Sequence, residues 1–263
     1  MTSDPAAKND VLPAPPHPDL AALALFVDVD GTLLDIATRP DAVVVDPSLR
    51  TTLRTLHERL GGALAPVSGR PLRDIDALLG LPAAAAAGLH GAELRAPGGG
   101  ALATPELHPG LAAARTRAVE AAAGHPGVLV EDKGAAIALH YREAPDAELA
   151  VRRAAGDMLD HAGSGYELLQ GKFVIELKPR NVHKGSAIAA LMRIAPFAGR
   201  TPWMIGDDVT DEDAFAETNA QGGISIIVGP RRPTRAHYAL PGPAAARAWI
   251  TRLIGGDATE PRP

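Results

Sequence analysis

The chain has no cysteine among its 263 residues, which excludes disulfides, thiolate metal centres and cysteine nucleophiles. It also lacks a basic excess: 26 Lys and Arg face 31 Asp and Glu, a formal net charge of -5, so no nucleic-acid partner is expected. A positive pocket for phosphate stays compatible with that total, because net charge does not describe a cleft. No run approaches the ~20 apolar residues of a bilayer span, so no membrane partner is expected either. The N-terminus does not read as a secretory signal, since Asp4, Lys8, Asn9 and Asp10 interrupt it and prolines follow. Together with the missing cysteines this is compatible with a cytoplasmic location. What remains is 46% hydrophobic and 22% charged, a globular composition with a real core. The length suits one large domain or a domain carrying a smaller insert.

Residues 1–18, with Pro5, Pro13, Pro15, Pro16 and Pro18, read as a disordered leader, and 257–263 as a flexible tail. Leu23–Val27 is apolar at every position, the pattern of a strand buried on both faces of a parallel sheet. A helix over 47–60, a strand over 63–67, a helix through Leu79 and a strand over 83–88 continue an α/β alternation. After about residue 104 the rhythm changes. A helix near 110–123, a hairpin of 128–133 with 136–142 across Gly134, a helix over 146–161 and strands at 166–169 and 173–178 predict a small antiparallel α+β unit. The parallel rhythm resumes with a helix over 184–195 and strands at 202–205 and 224–228. The expected fold is therefore an α/β, Rossmann-like core with a mainly parallel sheet over 19–104 and 180–256, carrying a smaller inserted α+β domain over 105–179.

Two acidic clusters follow buried strands. In Asp28-Val29-Asp30-Gly31-Thr32 both aspartates fall at a strand's carboxyl end, where open α/β sheets bind ligands. Alternation puts them on one side, and Gly31 lets the backbone turn close to a ligand. Two such carboxylates suit a hard cation, one attacking phosphorus and the other moving a proton, but a solvated acidic turn has the same pattern. In Gly206-Asp207-Asp208-Val209-Thr210-Asp211-Glu212-Asp213, five carboxylates in seven residues repel unless water, a helix N-terminus or a cation relieves them. Helix capping could account for Asp211, Glu212 and Asp213, and less naturally for Asp207. Between the clusters stand Ser68-Gly69-Arg70, a hydroxyl and an amide suited to a phosphate, and Lys184 at a helix start, where cation and helix N-terminus can jointly neutralise one.

Taken in order, Asp28-Val29-Asp30-Gly31-Thr32, Ser68, Lys184 and Gly206-Asp207-Asp208 resemble the four motifs of the haloacid dehalogenase (HAD) superfamily, over about residues 22–254. The resemblance implies a Mg2+-dependent phosphatase. By it Asp28 is the nucleophile and Asp30 the acid and base. Asp28, the Asp30 backbone carbonyl and Asp207 are metal ligands, with Asp208 and Asp211 in support. Thr32, Ser68, Gly69, Arg70 and Lys184 surround the phosphoryl group, and the insert between Ser68 and Lys184 is a cap.

A narrower resemblance is to the trehalose-6-phosphate phosphatases. It rests on Gly88-Leu89-His90-Gly91-Ala92-Glu93, Glu131-Asp132-Lys133-Gly134, His140-Tyr141-Arg142, Gly171–Pro179 and Thr210–Phe215. It implies a sugar phosphate as the small-molecule partner, contacted by Glu131, Lys133, Arg142, Lys172, Glu176 and Lys178. Without that resemblance the same charges read as surface ion pairs on hairpins. His90 either orients the core–cap junction or is a structural histidine. Another capped sugar phosphatase, for sucrose-phosphate or a mannosyl phosphate, is the alternative, and a phosphomutase a more distant one. A trehalose-6-phosphate synthase partner is not legible in the residues.

Overall fold

The computed structural model of the chain describes residues 12–36, 45–103 and 108–255. The leader residues 1–11, the tail 257–263 and the expected 104/105 boundary lie outside them. β1 (Leu23–Val27) is buried at all its positions, as a strand covered on both faces must be. With β2 (Leu64–Pro66), β10 (Thr201–Gly206), β11 (Ile224–Val228) and β12 (Tyr238–Leu240) it forms a parallel sheet in the order β12-β11-β10-β1-β2. The chain leaves β1 towards β2 on one side and returns through β10 on the other. The order therefore reverses between β1 and β10, the switch point at which such sheets bind ligands.

Helices cover this sheet. In α1 (Pro47–Arg59) the Asp46 carboxylate accepts the Ser48 N–H at 2.8 Å, Pro47 opens the first turn, and Leu49, Leu53 and Leu56 form the buried stripe. α2 (Leu72–Leu79), α5 (Lys184–Leu191), α6 (Glu212–Ala220) and α7 (Pro243–Gly255) complete the layers. Phe26 stacks on Phe197 at 5.3 Å between ring centroids and Trp203 on Trp249 at 5.9 Å, so both aromatic pairs help bind the layers together. α5 stops at Leu191 although the periodicity predicts 195. Pro196 disfavours helical backbone at the residue before it, and the segment closes in turns.

Two further differences concern the edges. The strand expected over 83–88 is β3 (Ala86–Gly88), which pairs antiparallel with β4 (Glu93–Arg95), itself paired with β5 (Ala101–Ala103). A single parallel bridge, Val67 to Ala87, joins this small sheet to the core sheet. Residues 12–18, expected within the disordered leader, lie against the core: the Pro13 carbonyl accepts the Ala239 N–H at 2.9 Å and Leu12 packs on the core.

Between β5 and α5 lies the cap. Its sheet, β6 (Leu129–Asp132), β7 (Ile137–His140), β8 (Tyr166–Gly171) and β9 (Val174–Pro179), is antiparallel in the order β6-β7-β9-β8. α3 (Leu111–Gly124) and α4 (Glu148–Ala162) cover one face, burying Ile137, Leu139, Ile175 and Leu177 against Val151 and Met158. The period of two then sends Glu131, Ala138, His140 and Glu176 to the opposite face. Glu131 faces Ala138 across one pair and Ala138 faces Glu176 across the next, so a small residue separates two carboxylates. Ala135 and Ala136 of the cap pack on Leu89 and Ala92 of the core, fastening the two parts.

Candidate active site

At the switch point β1 delivers Asp28 and β10 delivers Asp207. Lys184, the first residue of α5, places its Nζ 2.6 Å from Asp28 Oδ1 and 2.7 Å from Asp211 Oδ1, with all three side chains buried. Asp211 Oδ2 accepts the N–H groups of Asp207 (2.9 Å) and Asp208 (3.0 Å). Both Asp211 oxygens are thus engaged in shaping the turn and holding the lysine. The Thr32 hydroxyl donates to Asp207 Oδ1 at 3.0 Å. The Asp207 carboxylate lies against Gly31 (φ +82), where a Cβ would stand 2.2 Å from Asp207 Oδ2, so backbone conformation and close approach both require glycine there.

Electrostatics mark a deficit of positive charge. Burial pushes the Asp207 carboxyl up to about 7, with Asp211 adding to the rise. Burial also raises Asp28 well above the usual carboxylate range, against the pull of Lys184, and Asp211 and Asp207 add to it. Burial works against the Lys184 charge, but Asp211 and Asp28 outweigh it and raise its pKa. Oxygens of Asp28, Asp207 and Asp211 all lie within 4.8 Å of one another, opposite one lysine. A hard divalent cation with oxygen ligands fits that donor set and would relieve the repulsion; both Asp211 oxygens are already hydrogen-bonded, which favours Asp28 and Asp207 as its holders.

The second wall of the site is the loop after β2. Ser68 is buried, its N–H donates to Ala87 O at 2.9 Å, and its Oγ accepts the Arg70 N–H at 3.2 Å. Arg70 grips Asp30 in a bidentate pair, Nε to Oδ2 at 2.5 Å and Nη2 to Oδ1 at 2.7 Å. The turn Leu89-His90-Gly91 is bonded to this loop, Leu89 N–H to Arg70 O and His90 N–H to Ser68 O, each at 3.0 Å. Leu89 (φ 48) and His90 (φ 58) both adopt left-handed backbone, at a cost of about 1–3 kcal/mol each for non-glycine residues. Gly69 makes room for the imidazole: a Cβ there would meet the His90 ring at 2.7 Å.

Core and cap enclose a cleft of about 530 Å³, within the range of small-molecule sites. From the core it is lined by Asp28, Asp30, Ser68, Gly69, Arg70, His90, Lys184, Asp207 and Asp208. Glu131, Lys133, Arg142, Lys172 and Glu176 line it from the cap, so these expected residues do converge. Thr32 and Asp211 do not line the cleft and instead bond Asp207 and Lys184, which do. Lys178, expected among them, lines a neighbouring groove instead; its Nζ reaches Glu167 at 2.6 Å and Val182 O at 2.8 Å. Lys133 Nζ contacts Glu176 Oε2 at 2.7 Å and the Gly69 carbonyl at 3.2 Å, reaching from the cap to the loop after β2. Sequence reasoning missed His140, whose Nε2 lies 2.8 Å from Glu131 Oε2, although alternation along β7 carries it to the same face as Ala138. It also missed Gln170 and Phe173, which line the cleft.

The core-plus-cap architecture is shared with a haloacid dehalogenase-like hydrolase. That likeness, with a TM-score of 0.62 at 15% identity, is one of fold and defines the fold class, a HAD-like core carrying a cap. The trehalose-phosphatase family model matches residues 26–244, and the chain belongs to that family. It is 45% identical over 241 residues to a probable trehalose-phosphate phosphatase of Sinorhizobium fredii, covering 89% of each chain. It is 42% identical over 240 residues to the trehalose-6-phosphate phosphatase of Escherichia coli, covering 90% of this chain and 88% of that one. The C-terminal domain of the C. albicans trehalose-6-phosphate phosphatase superposes with a TM-score of 0.79 at 23% identity, over 94% of this chain and 99% of that one, a likeness of fold. Among the described residues no helix is long and apolar enough to cross a membrane.

Proposed function

We propose that the chain hydrolyses trehalose-6-phosphate to trehalose and inorganic phosphate through an aspartyl-phosphate on Asp28. The observation that carries this reading is the single cleft that sets Asp28, Asp30 and Lys184 opposite Glu131, Lys133 and Glu176. One wall offers a nucleophile, a proton carrier and a cation. The other offers charged donors and acceptors that a sugar's hydroxyls can satisfy and a wrong ligand leaves unpaired. The names of the relatives support the same substrate.

In this reading Asp28 attacks phosphorus, and the sugar oxygen leaves with a proton from Asp30. Water then attacks the aspartyl-phosphate, Asp30 takes its proton, and phosphate departs as Asp28 is restored. Ser68, the Gly69 amide and Lys184 hold the phosphoryl oxygens. Arg70 binds the Asp30 carboxylate, and the incoming phosphoryl group, a second anion, competes for the guanidinium. Asp211 keeps Lys184 in place, and Thr32 orients Asp207. Asp28, Asp207 and the Asp30 backbone carbonyl are the proposed holders of Mg2+, which supplies neutralisation of phosphoryl charge when bound. The cap excludes water as it closes over the sugar. We assign the core to 19–104 and 180–256 and the cap to 105–179.

Phosphate release, measured with Mg2+ on trehalose-6-phosphate, sucrose-phosphate, glucose-6-phosphate and an aryl phosphate, tests the reading. Strong preference for trehalose-6-phosphate supports it. Preference for another sugar phosphate keeps the aspartate chemistry and overturns the substrate.

A further inference from the structure

His90 is buried, its turn is bonded to the phosphate loop, and its ring fills the space that Gly69 leaves. From there it faces Glu176 of the cap, with Nε2 3.7 Å from Oε1, just beyond hydrogen-bond length. Both side chains are left incomplete: His90 Nδ1 and Glu176 Oε1 are buried atoms without a hydrogen-bond partner. Glu176 Oε2, by contrast, is already held by Lys133, which also touches the Gly69 carbonyl. Core and cap thus meet through a polar chain that lacks one bond. Buried carboxylate oxygens are rarely left unpaired, and a strained left-handed residue marks a place where geometry is held for a purpose.

We propose that His90 is a positioning residue: as the cap closes, its Nε2–H engages Glu176 Oε1 and fixes Glu176 for the sugar. Cap travel of roughly 0.5–1 Å completes that bond at ordinary length. Because His90 is pinned to Ser68 through its own N–H, the orientation of the sugar-binding carboxylate then depends on the loop that holds the phosphate. Selection of the sugar and seating of the phosphate become one event. Burial lowers the His90 pKa, which keeps the imidazole neutral with a single N–H to give. The inference rests on the sugar-phosphatase reading above.

The test compares His90→Gly with His90→Gln. Glycine accepts left-handed backbone freely, so it relieves strain while removing the imidazole. Glutamine keeps the strain but carries an N–H donor to about the position of Nε2. The readouts are the melting temperature and the ratio of kcat/KM on trehalose-6-phosphate to that on a small aryl phosphate. A lost hydrogen bond to a carboxylate corresponds to about a 10–100-fold fall of that ratio in His90→Gly, carried mainly by KM. The expected order is reversed between readouts: glycine the more stable, glutamine the more selective. A ratio in His90→Gly within about twofold of wild type, or selectivity that simply follows melting temperature across both variants, overturns the inference. If the wild-type enzyme prefers another sugar phosphate, the functional reading falls, and the same ratio taken with that sugar still decides the role of His90.

Discussion

Lys184 Nζ lies 2.7 Å from Asp211 Oδ1, and Asp211 is fully buried with its other oxygen bonded to two backbone N–H groups. Asp211 is therefore a structural carboxylate beneath Asp28. Removing Asp211 leaves those two N–H groups without their acceptor and Lys184 paired by Asp28 alone, together a loss of about 3–5 kcal/mol. Asp211→Ala is expected to lower the melting temperature by roughly 6–20 °C at this chain length. Asp28→Asn differs: Asp211 still pairs Lys184, and repulsion with Asp207 and Asp211 is removed. That variant should melt within about 5 °C of wild type while losing on the order of a thousandfold or more in turnover. Thermal unfolding beside phosphate release checks the contrast; substantial turnover in Asp28→Asn would remove the nucleophile assignment.

The raised pKa of Asp207, caused by burial and the Asp211 charge, predicts that a divalent cation stabilises the fold as well as supporting turnover. A ligand at about 100 times its Kd adds about 2.7 kcal/mol, or roughly 5–11 °C of melting temperature here. Mg2+ titration followed by thermal unfolding should show that shift in the wild type and little of it in Asp207→Asn. Chelator should remove turnover, and Mg2+ should restore it. An equal shift in both proteins would place the cation elsewhere.

The parts of this site legible in the sequence are the strand-end aspartates, marked by local pattern, and the cap carboxylates, marked by the family resemblance. Asp28 and Asp207 each follow an apolar strand, and strand ends at a switch point converge by topology. Glu131 and Glu176 face the core because Val130, Ile175 and Leu177 claim the other face of the cap sheet. Residues whose placement depends on distant partners were not legible. Lys178 shares the face of Glu176, yet two residues of strand, ~7 Å, carry it over Glu167 and the Val182 carbonyl. His90 was expected either at the core–cap junction or as a structural histidine, and the turn with two left-handed non-glycine residues that sets its place is announced by no residue preference. The same holds for Pro13, whose contact with Ala239 spans nearly the whole chain.

Arg70 and Asp30 form a bidentate pair 40 residues apart in sequence, with the Arg70 side chain only 13% exposed. Two parallel N–H···O bonds fix the plane of the carboxylate, which an ammonium cannot do. Arg70→Lys should therefore keep the charge and lose the geometry. We expect kcat/KM to fall about 10–100-fold on both sugar and aryl phosphates, in line with the loss of a positioned acid–base group. Similar losses on both substrates would place the effect at the phosphoryl centre. A loss confined to the sugar phosphate would move Arg70 into the sugar site.

Burial opposes the charge of Glu176, but its neighbours, Lys133 foremost, outweigh it and bring its carboxyl down to about 2, from the ordinary glutamate value of 4.5. A carboxyl whose folded pKa is depressed contributes stability that is complete above its unfolded value and lost as pH falls through the folded one. The Glu176 contribution, on the order of 3 kcal/mol, should therefore be intact above about pH 5 and vanish progressively towards pH 2. Glu176→Gln has no such titration. The stability gap between wild type and Glu176→Gln, measured by denaturant unfolding from pH 7 downwards, should be widest at neutral pH and close as acid is added. A gap that stays constant across that range would show that Glu176 is not held as an anion by Lys133, and the core-to-cap chain through Gly69 would lose its electrostatic basis.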